Sequence, residues 1–147
     1  MDRQTTKIAE LAGVKLMRAS ELIQDSVRDL FKQHGLSAPQ YNVLRILRGA
    51  GPDGLSCHQI SARMVKRVPD ITRLLDRLES GNLVSRERLK TDRRVVMANI
   101  SPAGKELLGK IDQPLNRQVQ VNFQALDPSE LQILDTLLRR ILTDQAK

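Results

Sequence analysis

The sequence predicts a single, mainly α-helical domain that carries one small β-hairpin. Apolar residues recur every three or four positions through most of the 147-residue chain, which is the period of an amphipathic helix. Helix-capping sequences and glycines divide this pattern into separate helices. The segment 83–100 instead has β-favouring residues at both ends and a charged stretch between them, which is typical of a two-stranded hairpin.

Long helices are expected at both ends of the chain. The first covers about 6–34, carries one apolar stripe and stops at Gly35. The second terminal segment covers about 102–146 and contains two helices, which begin at Ser101-Pro102 and at Asp127-Pro128. Because these apolar stripes are larger than a small domain can cover, both segments are predicted to pack against a second copy of the chain. The protein is therefore expected to be a homodimer.

The middle of the chain predicts shorter elements. Ser37 and Ser56 are each followed three residues later by glutamine, a capping box that starts a short helix. Pro69 is expected in the first turn of the next helix, which ends at Gly81. Two short helices followed by a hairpin at 83–100 form a winged helix–turn–helix.

We call residues from about 36 to 100 the winged lobe, within one domain that spans 1–147. This lobe holds most of the positive charge. The net charge is +7, and residues 63–94 contain ten Lys and Arg against five Asp and Glu, so this segment contributes +5 and the rest only +2. A localised basic patch indicates a polyanionic partner, either nucleic acid or an acidic membrane surface.

The helix that begins near Pro69 is the candidate for entering a DNA major groove. Ile71, Leu74 and Leu78 are expected to face the core. The opposite face, the turn before the helix and the tip of the hairpin offer groups that can contact bases or phosphates. These candidate residues are Lys66, Arg67, Asp70, Thr72, Arg73, Arg77, Arg88, Lys90, Arg93 and Arg94.

The run from Asp76 to Ile100, with the residues after it, resembles the signature of the MarR family of transcription regulators. The resemblance extends to the helices at both ends of the chain, and the set of motifs is specific although no single one is diagnostic. The matching elements are Asp76-Arg77-Leu78-Glu79, Gly81, Leu83-Val84, Arg86, Asp92-Arg93-Arg94 and Ser101-Pro102-Ala103-Gly104.

The resemblance implies roles for individual residues of the hairpin, which is the wing of this family. Arg94 is expected to enter the minor groove, with Asp92 orienting its guanidinium. Arg86 is expected to contact or position the DNA backbone at the base of the wing. The residues expected to contact base edges in the major groove are Asp70, Thr72 and Arg73.

Pro69-Asp70 departs from the family pattern. An acidic side chain at the start of the recognition helix repels phosphate. Asp70 is therefore expected either to accept a hydrogen bond from a cytosine amine or to pair with an arginine. Arg77 has two interpretations as well, an ion pair inside the domain or a phosphate contact.

The resemblance also implies the mode of action. The chain is expected to bind a palindromic double-stranded operator as a homodimer, with its recognition helices in successive major grooves. Repression relieved by a small aromatic or phenolic effector, bound between the dimer helices and the lobe, is the expected mechanism. The alternative is a winged-helix module that binds protein and has no DNA target.

Other classes find little support in the sequence. Cys57 is the only cysteine and there are two histidines, so neither a disulfide nor a zinc cluster is expected within one chain. No nucleophile–base pair or phosphate-binding glycine loop is visible, so no catalysis, cofactor or metal is expected. The polar N-terminus does not resemble a signal peptide, and no apolar run approaches the roughly 20 residues of a membrane span. A cytoplasmic location without membrane contact is expected.

Overall fold

The computed structural model describes residues 2–144 of the chain. Within this range six helices and three strands follow one another, and the fold is mainly helical with a small antiparallel sheet, as predicted. In chain order they are α1 (Arg3–Gln33), α2 (Ala38–Gly49), β1 (Leu55–Ser56), α3 (Cys57–Arg63), α4 (Ile71–Ser80), β2 (Val84–Arg88), β3 (Val96–Ile100), α5 (Pro102–Phe123) and α6 (Pro128–Asp144).

The terminal helices differ slightly from their predicted limits. α1 begins three residues earlier than expected, because the Asp2 side chain accepts a hydrogen bond from the backbone N–H of Thr5 at 2.8 Å and caps the helix. The C-terminal segment consists of two helices as expected, and α6 is described as far as Asp144. The last residues of the predicted segment, 145 and 146, lie outside the described residues.

Both predicted capping boxes are present. In each, the serine hydroxyl accepts from the glutamine backbone N–H, and the glutamine side chain accepts from the serine backbone N–H. The prediction for Pro69 is wrong, since α4 begins at Ile71 and Asp70 is its N-cap. The carboxylate of Asp70 bonds the backbone N–H of Arg73, so Pro69 lies before the helix.

The hairpin is confirmed, but the sheet has a third strand that the sequence did not indicate. The strand order is β1-β3-β2, and both pairs are antiparallel. The chain reaches β2 through a left-handed residue, Asn82, whose φ is 57°. Its carbonyl accepts a hydrogen bond from the Ser101 hydroxyl at 2.6 Å, which ties the end of α4 to the start of α5.

The core lies inside the winged lobe and extends to α5. Val43, Leu44, Ile60 and Leu75 are fully buried. The other buried apolar side chains, which come from the end of α1, the lobe and α5, are Phe31, Leu36, Tyr41, Leu47, Leu55, Leu74, Leu78, Val84, Ala98, Leu108 and Ile111.

One ion pair and one aromatic pair join the lobe to the terminal helices, and one hydrogen bond joins two terminal helices to each other. The Arg48 guanidinium bonds both carboxylate oxygens of Asp112 at 2.8 and 3.0 Å, which connects α2 to α5. The Asn122 amide donates to the Ser26 hydroxyl at 2.9 Å, which connects α5 to α1. The Phe31 ring stacks on Tyr41 with centroids 4.2 Å apart. α1 is therefore fixed to the lobe at its C-terminal part.

The N-terminal two-thirds of α1 and most of α6 leave large apolar side chains in solvent. On α1 these are Ile8, Leu11, Val14, Leu16, Met17 and Leu22, which are 41–69% exposed. On α6 they are Ile133, Leu137, Ile141 and Leu142, which are 47–71% exposed. None of the helices in the described residues is long and apolar enough to cross a membrane.

Candidate nucleic-acid interface

Helix α4 has one buried and one exposed face. Leu74 and Leu78 are buried in the core, as predicted, and Ile71 is half-buried. Thr72 and Arg73 are exposed on the other side. The ten residues of α4 give a length of about 15 Å. Since an α-helix with its side chains is about 10–12 Å across, it matches a major groove of about 12 Å.

Asp70 lies at the N-terminal tip of this exposed face. Its Oδ1 accepts the hydrogen bond from the backbone N–H of Arg73 at 2.9 Å. Of the two predicted partners, an arginine side chain is not used, since no ion pair of Asp70 is found in the described part of the chain. Oδ2 has no hydrogen-bond partner in residues 2–144.

Arg86 joins the base of the wing to α4. Its guanidinium bonds Glu79 Oε2 from Nε at 2.9 Å and from Nη2 at 2.5 Å, and Nη2 also contacts Asp76 Oδ1 at 2.6 Å. The hydrogen bond to Glu79 and the charge of both carboxylates raise the pKa of Arg86 above its usual value. The side chain is 21% exposed, and its two ion pairs hold β2 against α4.

The tip of the wing is a short turn held by its own backbone. The N–H of Leu89 donates to the carbonyl of Val95 at 2.9 Å, and the Arg88 guanidinium reaches the carbonyl of Arg93 at 3.5 Å. Asp92 Oδ1 accepts from the backbone N–H of Arg94 at 3.0 Å. The expectation that Asp92 orients the Arg94 guanidinium is therefore corrected, because the carboxylate bonds the main chain of Arg94 and shapes the turn.

The outward-facing cations of this surface differ from Arg86. Within residues 2–144, their side chains form no ion pair. They come from the loop before α4, from α4 and from the wing, and they are Lys66, Arg67, Arg73, Arg77, Arg88, Lys90, Arg93 and Arg94. Within the described residues, Arg77 therefore does not form the ion pair inside the domain that was one of its two interpretations.

The loop between α3 and α4 positions the first two cations. The backbone N–H of Val65 donates to Asn42 Oδ1 on α2 at 2.9 Å, which anchors the loop to the lobe. Lys66 and Arg67 follow and are exposed. Lys66 also lines a groove against α1.

That groove runs along α1 where the helix leaves the lobe. Its volume is about 600 Å³, and it is open to solvent. It is lined by Lys66 and by α1 residues Leu16, Met17, Ser20, Glu21, Gln24, Asp25 and Arg28. Asp25 and Arg28 form an ion pair on its wall. The lining therefore combines apolar surface with both signs of charge.

Two further side chains, a thiol and an imidazole, take ordinary positions. Cys57 is a half-buried free thiol at the first position of α3. The Nδ1 of His34 lies 2.9 Å from the carbonyl oxygen of Leu30 at the end of α1. No group of three His, Cys, Asp or Glu that could hold a metal ion occurs in residues 2–144.

Comparison with known proteins identifies the class of protein that this lobe defines. A family model described as the MarR family matches residues 36–96, which is nearly the whole winged lobe. The solved structure of a MarR transcription factor from Planctomyces limnophilus is 36% identical, covers 88% of this chain and 94% of its own, and superposes with a TM-score of 0.69. The chain belongs to the MarR family of transcription regulators.

Two other proteins show how far the similarity extends. An uncharacterised HTH-type transcriptional regulator of Bacillus subtilis, YkoM, is 32% identical over 117 residues, which is 80% of this chain and 74% of the relative. BpsR of Bordetella bronchiseptica, whose structure concerns the regulation of its DNA binding by 6-hydroxynicotinic acid, is 24% identical with a TM-score of 0.79, over 89% of this chain and 98% of that one. The latter likeness shows the fold alone.

Proposed function

We propose that this chain binds a palindromic DNA operator as a homodimer and represses transcription until a small aromatic or phenolic effector releases it. The observation that carries the proposal is the set of outward-facing, unpaired cations on α4, the loop before it and the wing, within residues 2–144. Arg86, which faces inward, is neutralised by Asp76 and Glu79. A cation left without an acidic partner is available to a phosphate, and release of counterions from DNA then favours binding.

The exposed residues divide between two kinds of contact. Thr72 and Arg73, in the first turn of α4, are the proposed readers of base edges, since N-terminal residues of recognition helices reach the bases. Arg67 and Arg77 flank them and are proposed to hold phosphates. Arg88, Lys90, Arg93 and Arg94 would contact the neighbouring minor groove and its phosphates, where a narrow groove attracts arginine.

Dimerisation is proposed to use the exposed apolar faces of α1 and α6. Two copies related by a twofold axis would present two α4 helices, and half-sites one helical turn apart require these to be about 34–36 Å from each other. The winged lobe, about 36–100, would bind DNA, while the terminal helices set the spacing. This division also explains why the apolar stripes lie outside the lobe.

The effector is proposed to bind in the groove between α1 and Lys66. The groove lies where a terminal helix leaves the lobe, so a ligand there can change the angle between them and thereby the spacing of the two α4 helices. BpsR, which shares the fold, has its DNA binding regulated by a hydroxylated aromatic acid. No catalytic step is part of this proposal.

Selection of binding sites from a random DNA pool tests the proposal. The full-length chain is expected to enrich a palindrome with half-sites about 10 base pairs apart. Arg73→Ala should relax the preference at one symmetric pair of positions and weaken binding by about 1–3 kcal/mol. An unchanged motif at lower affinity would reassign Arg73 to the phosphate backbone.

The protein-interaction module remains the competing proposal, and the same experiment separates the two. A module without a DNA target would enrich no motif, and its weak binding to all sequences would vanish at physiological salt. The unpaired cations favour DNA, because a surface built for a protein partner usually has fewer charges at its centre.

A further inference from the structure

Asp70 carries a negative charge on a surface that is proposed to bind phosphates. It lies at the N-terminal tip of α4, is exposed, and is followed by Thr72 and Arg73 on the same surface. The other residues of the proposed interface at this tip donate hydrogen bonds or carry positive charge. A carboxylate there repels the phosphates that they attract.

Capping alone does not require an acidic residue at this position. Aspartate does start two other helices, since Asp2 caps α1 and Asp127 accepts from the backbone N–H of Glu130 in the first turn of α6. The N-caps of α2, α3 and α5, however, are Ser37, Ser56 and Ser101, and each satisfies the first turn of its helix with a neutral hydroxyl. Serine and aspartate are about equally good N-caps. At α4 a serine would satisfy the same backbone N–H without opposing a polyanion.

The geometry of the carboxylate leaves one acceptor for a partner. Oδ1 is used by the backbone N–H of Arg73 at 2.9 Å, which fixes the orientation of the group. Oδ2 meets no donor in the described part of the chain. A side chain that is held by one oxygen and open at the other, at the tip of a recognition helix, is placed to meet a hydrogen-bond donor on a base edge.

We propose that Asp70 determines sequence specificity by accepting a hydrogen bond from the N4 amine of a cytosine in the major groove. This inference rests on the proposed operator binding. Two bases present an amine in the major groove, cytosine and adenine. The adenine amine lies between two acceptors, its own N7 and O4 of the paired thymine, and both repel a carboxylate. The cytosine amine has an acceptor, O6 of the paired guanine, on one side only. Cytosine is therefore the base selected.

Substitutions that keep a good N-cap at position 70 distinguish recognition of a base from capping of α4. Asp70→Asn and Asp70→Ser both keep a good N-cap, so their melting curves should match that of the wild type. Asp53→Asn is the charge-matched control, since Asp53 lies on the exposed turn before β1, at the end of the sheet away from the wing tip. All four full-length proteins are used to select sites from one random DNA pool.

The wild type and Asp53→Asn are expected to select the same palindrome with cytosine at one symmetric pair of positions. Replacing that cytosine should weaken wild-type binding about 5- to 100-fold. Asp70→Ser should lose the preference, and Asp70→Asn should move it toward a base with an acceptor, because its exposed amide group is a donor.

Other outcomes would overturn the inference. An unchanged motif in both Asp70 variants would reduce the residue to a cap, even if affinity rose equally on every sequence. Adenine at the same positions in the wild-type motif would contradict the choice of cytosine. If the wild type selected no motif, the proposed function itself would fail, and this inference with it; a motif that ignores Asp70 would leave the proposed function intact.

Discussion

The winged lobe and the terminal helices differ in how they remove their apolar side chains from water. In the lobe, Leu44, Leu47 and Leu75 are at most 1% exposed within a single chain. On α1 and α6, Leu22 and Leu142 are 69% and 71% exposed. Contiguous apolar faces of this size are rare on monomers. The comparison indicates that one chain is enough to complete the core of the lobe, with Phe31, Leu108 and Ile111 contributed by α1 and α5. The outer faces of α1 and α6, in contrast, need a second chain.

The largest effect is expected from a charge on the face of α1. Leu11→Glu would bury a carboxylate in the proposed dimer, and two unpaired charges per dimer cost several kcal/mol. The dissociation constant of the dimer should rise at least about a hundredfold. Sedimentation velocity measures it. Glu10→Gln, about 100° around the helix from Leu11, is the control. Equal behaviour of the two variants would remove α1 from the interface.

A cavity in the lobe should have a different signature. Leu44→Ala is expected to lower the free energy of unfolding by about 2–5 kcal/mol, because its side chain is fully buried. Urea denaturation of the variant and the wild type at two protein concentrations tests this. The difference between them should not depend on concentration, since the cavity lies inside a single chain. If the difference in free energy of unfolding depended strongly on protein concentration, Leu44 would also contribute to the stability of the dimer.

The tip of the wing should affect affinity more than sequence choice. Arg94→Ala is expected to weaken binding to every DNA sequence, because a wing arginine responds to groove width and phosphate charge. The slope of log affinity against log salt should become shallower by about one for each phosphate that the variant no longer neutralises in a half-site. Fluorescence anisotropy at several salt concentrations gives both values. An unchanged slope would exclude Arg94 from phosphate binding.

Arg86 and Arg48 allow a link inside the lobe to be compared with a link between the lobe and a terminal helix. Arg86→Ala breaks the link from the wing to α4, while Arg48→Ala breaks a similar arginine–carboxylate link between α2 and α5. Both pairs are partly exposed, so each variant should lose about 1 kcal/mol or less of stability. Only Arg86→Ala should weaken DNA binding severalfold, since it leaves Asp76 and Glu79 uncompensated near phosphates. Equal DNA affinities would mean that the link is structural only.

The smallest effect is expected at Cys57. No second cysteine exists in the chain to form an intramolecular disulfide, and the thiol is half-buried at the start of α3. Cys57→Ser should leave operator binding and its response to peroxide unchanged. Peroxide titration of both proteins on the selected operator checks this. Release of the wild type at equimolar peroxide, absent in the variant, would reveal a redox switch in the lobe.

Local signals in the sequence predicted most of the fold. The capping boxes at Ser37 and Ser56 gave the starts of two helices, because they depend on residues three apart. Strand β1 was missed because two residues, Leu55 and Ser56, have no periodicity of their own and are defined by pairing with β3. The start of α4 was misplaced since Pro69 and Asp70 are both helix-start signals, and only the backbone conformation decides which one caps.

The candidate site was less accessible to sequence reasoning. Cations on α4 and the wing could be named, but which of them are neutralised depends on contacts between elements. Asp76 and Glu79 lie three residues apart on one helix, which hints at a shared partner, but nothing local identifies Arg86 seven to ten residues further on. The groove against α1 likewise requires the packing of a distant loop on a terminal helix.

The mass of the free protein in solution shows whether the terminal helices pair with those of a second chain. Light scattering on the full-length wild type, across a dilution series at micromolar concentration, should give twice the chain mass of 16.6 kDa. That result would show that the exposed faces of the terminal helices are covered by a second chain. A mass of 16.6 kDa throughout the series would contradict dimerisation through these helices, because the lobe and the terminal helices would then be stable without a partner.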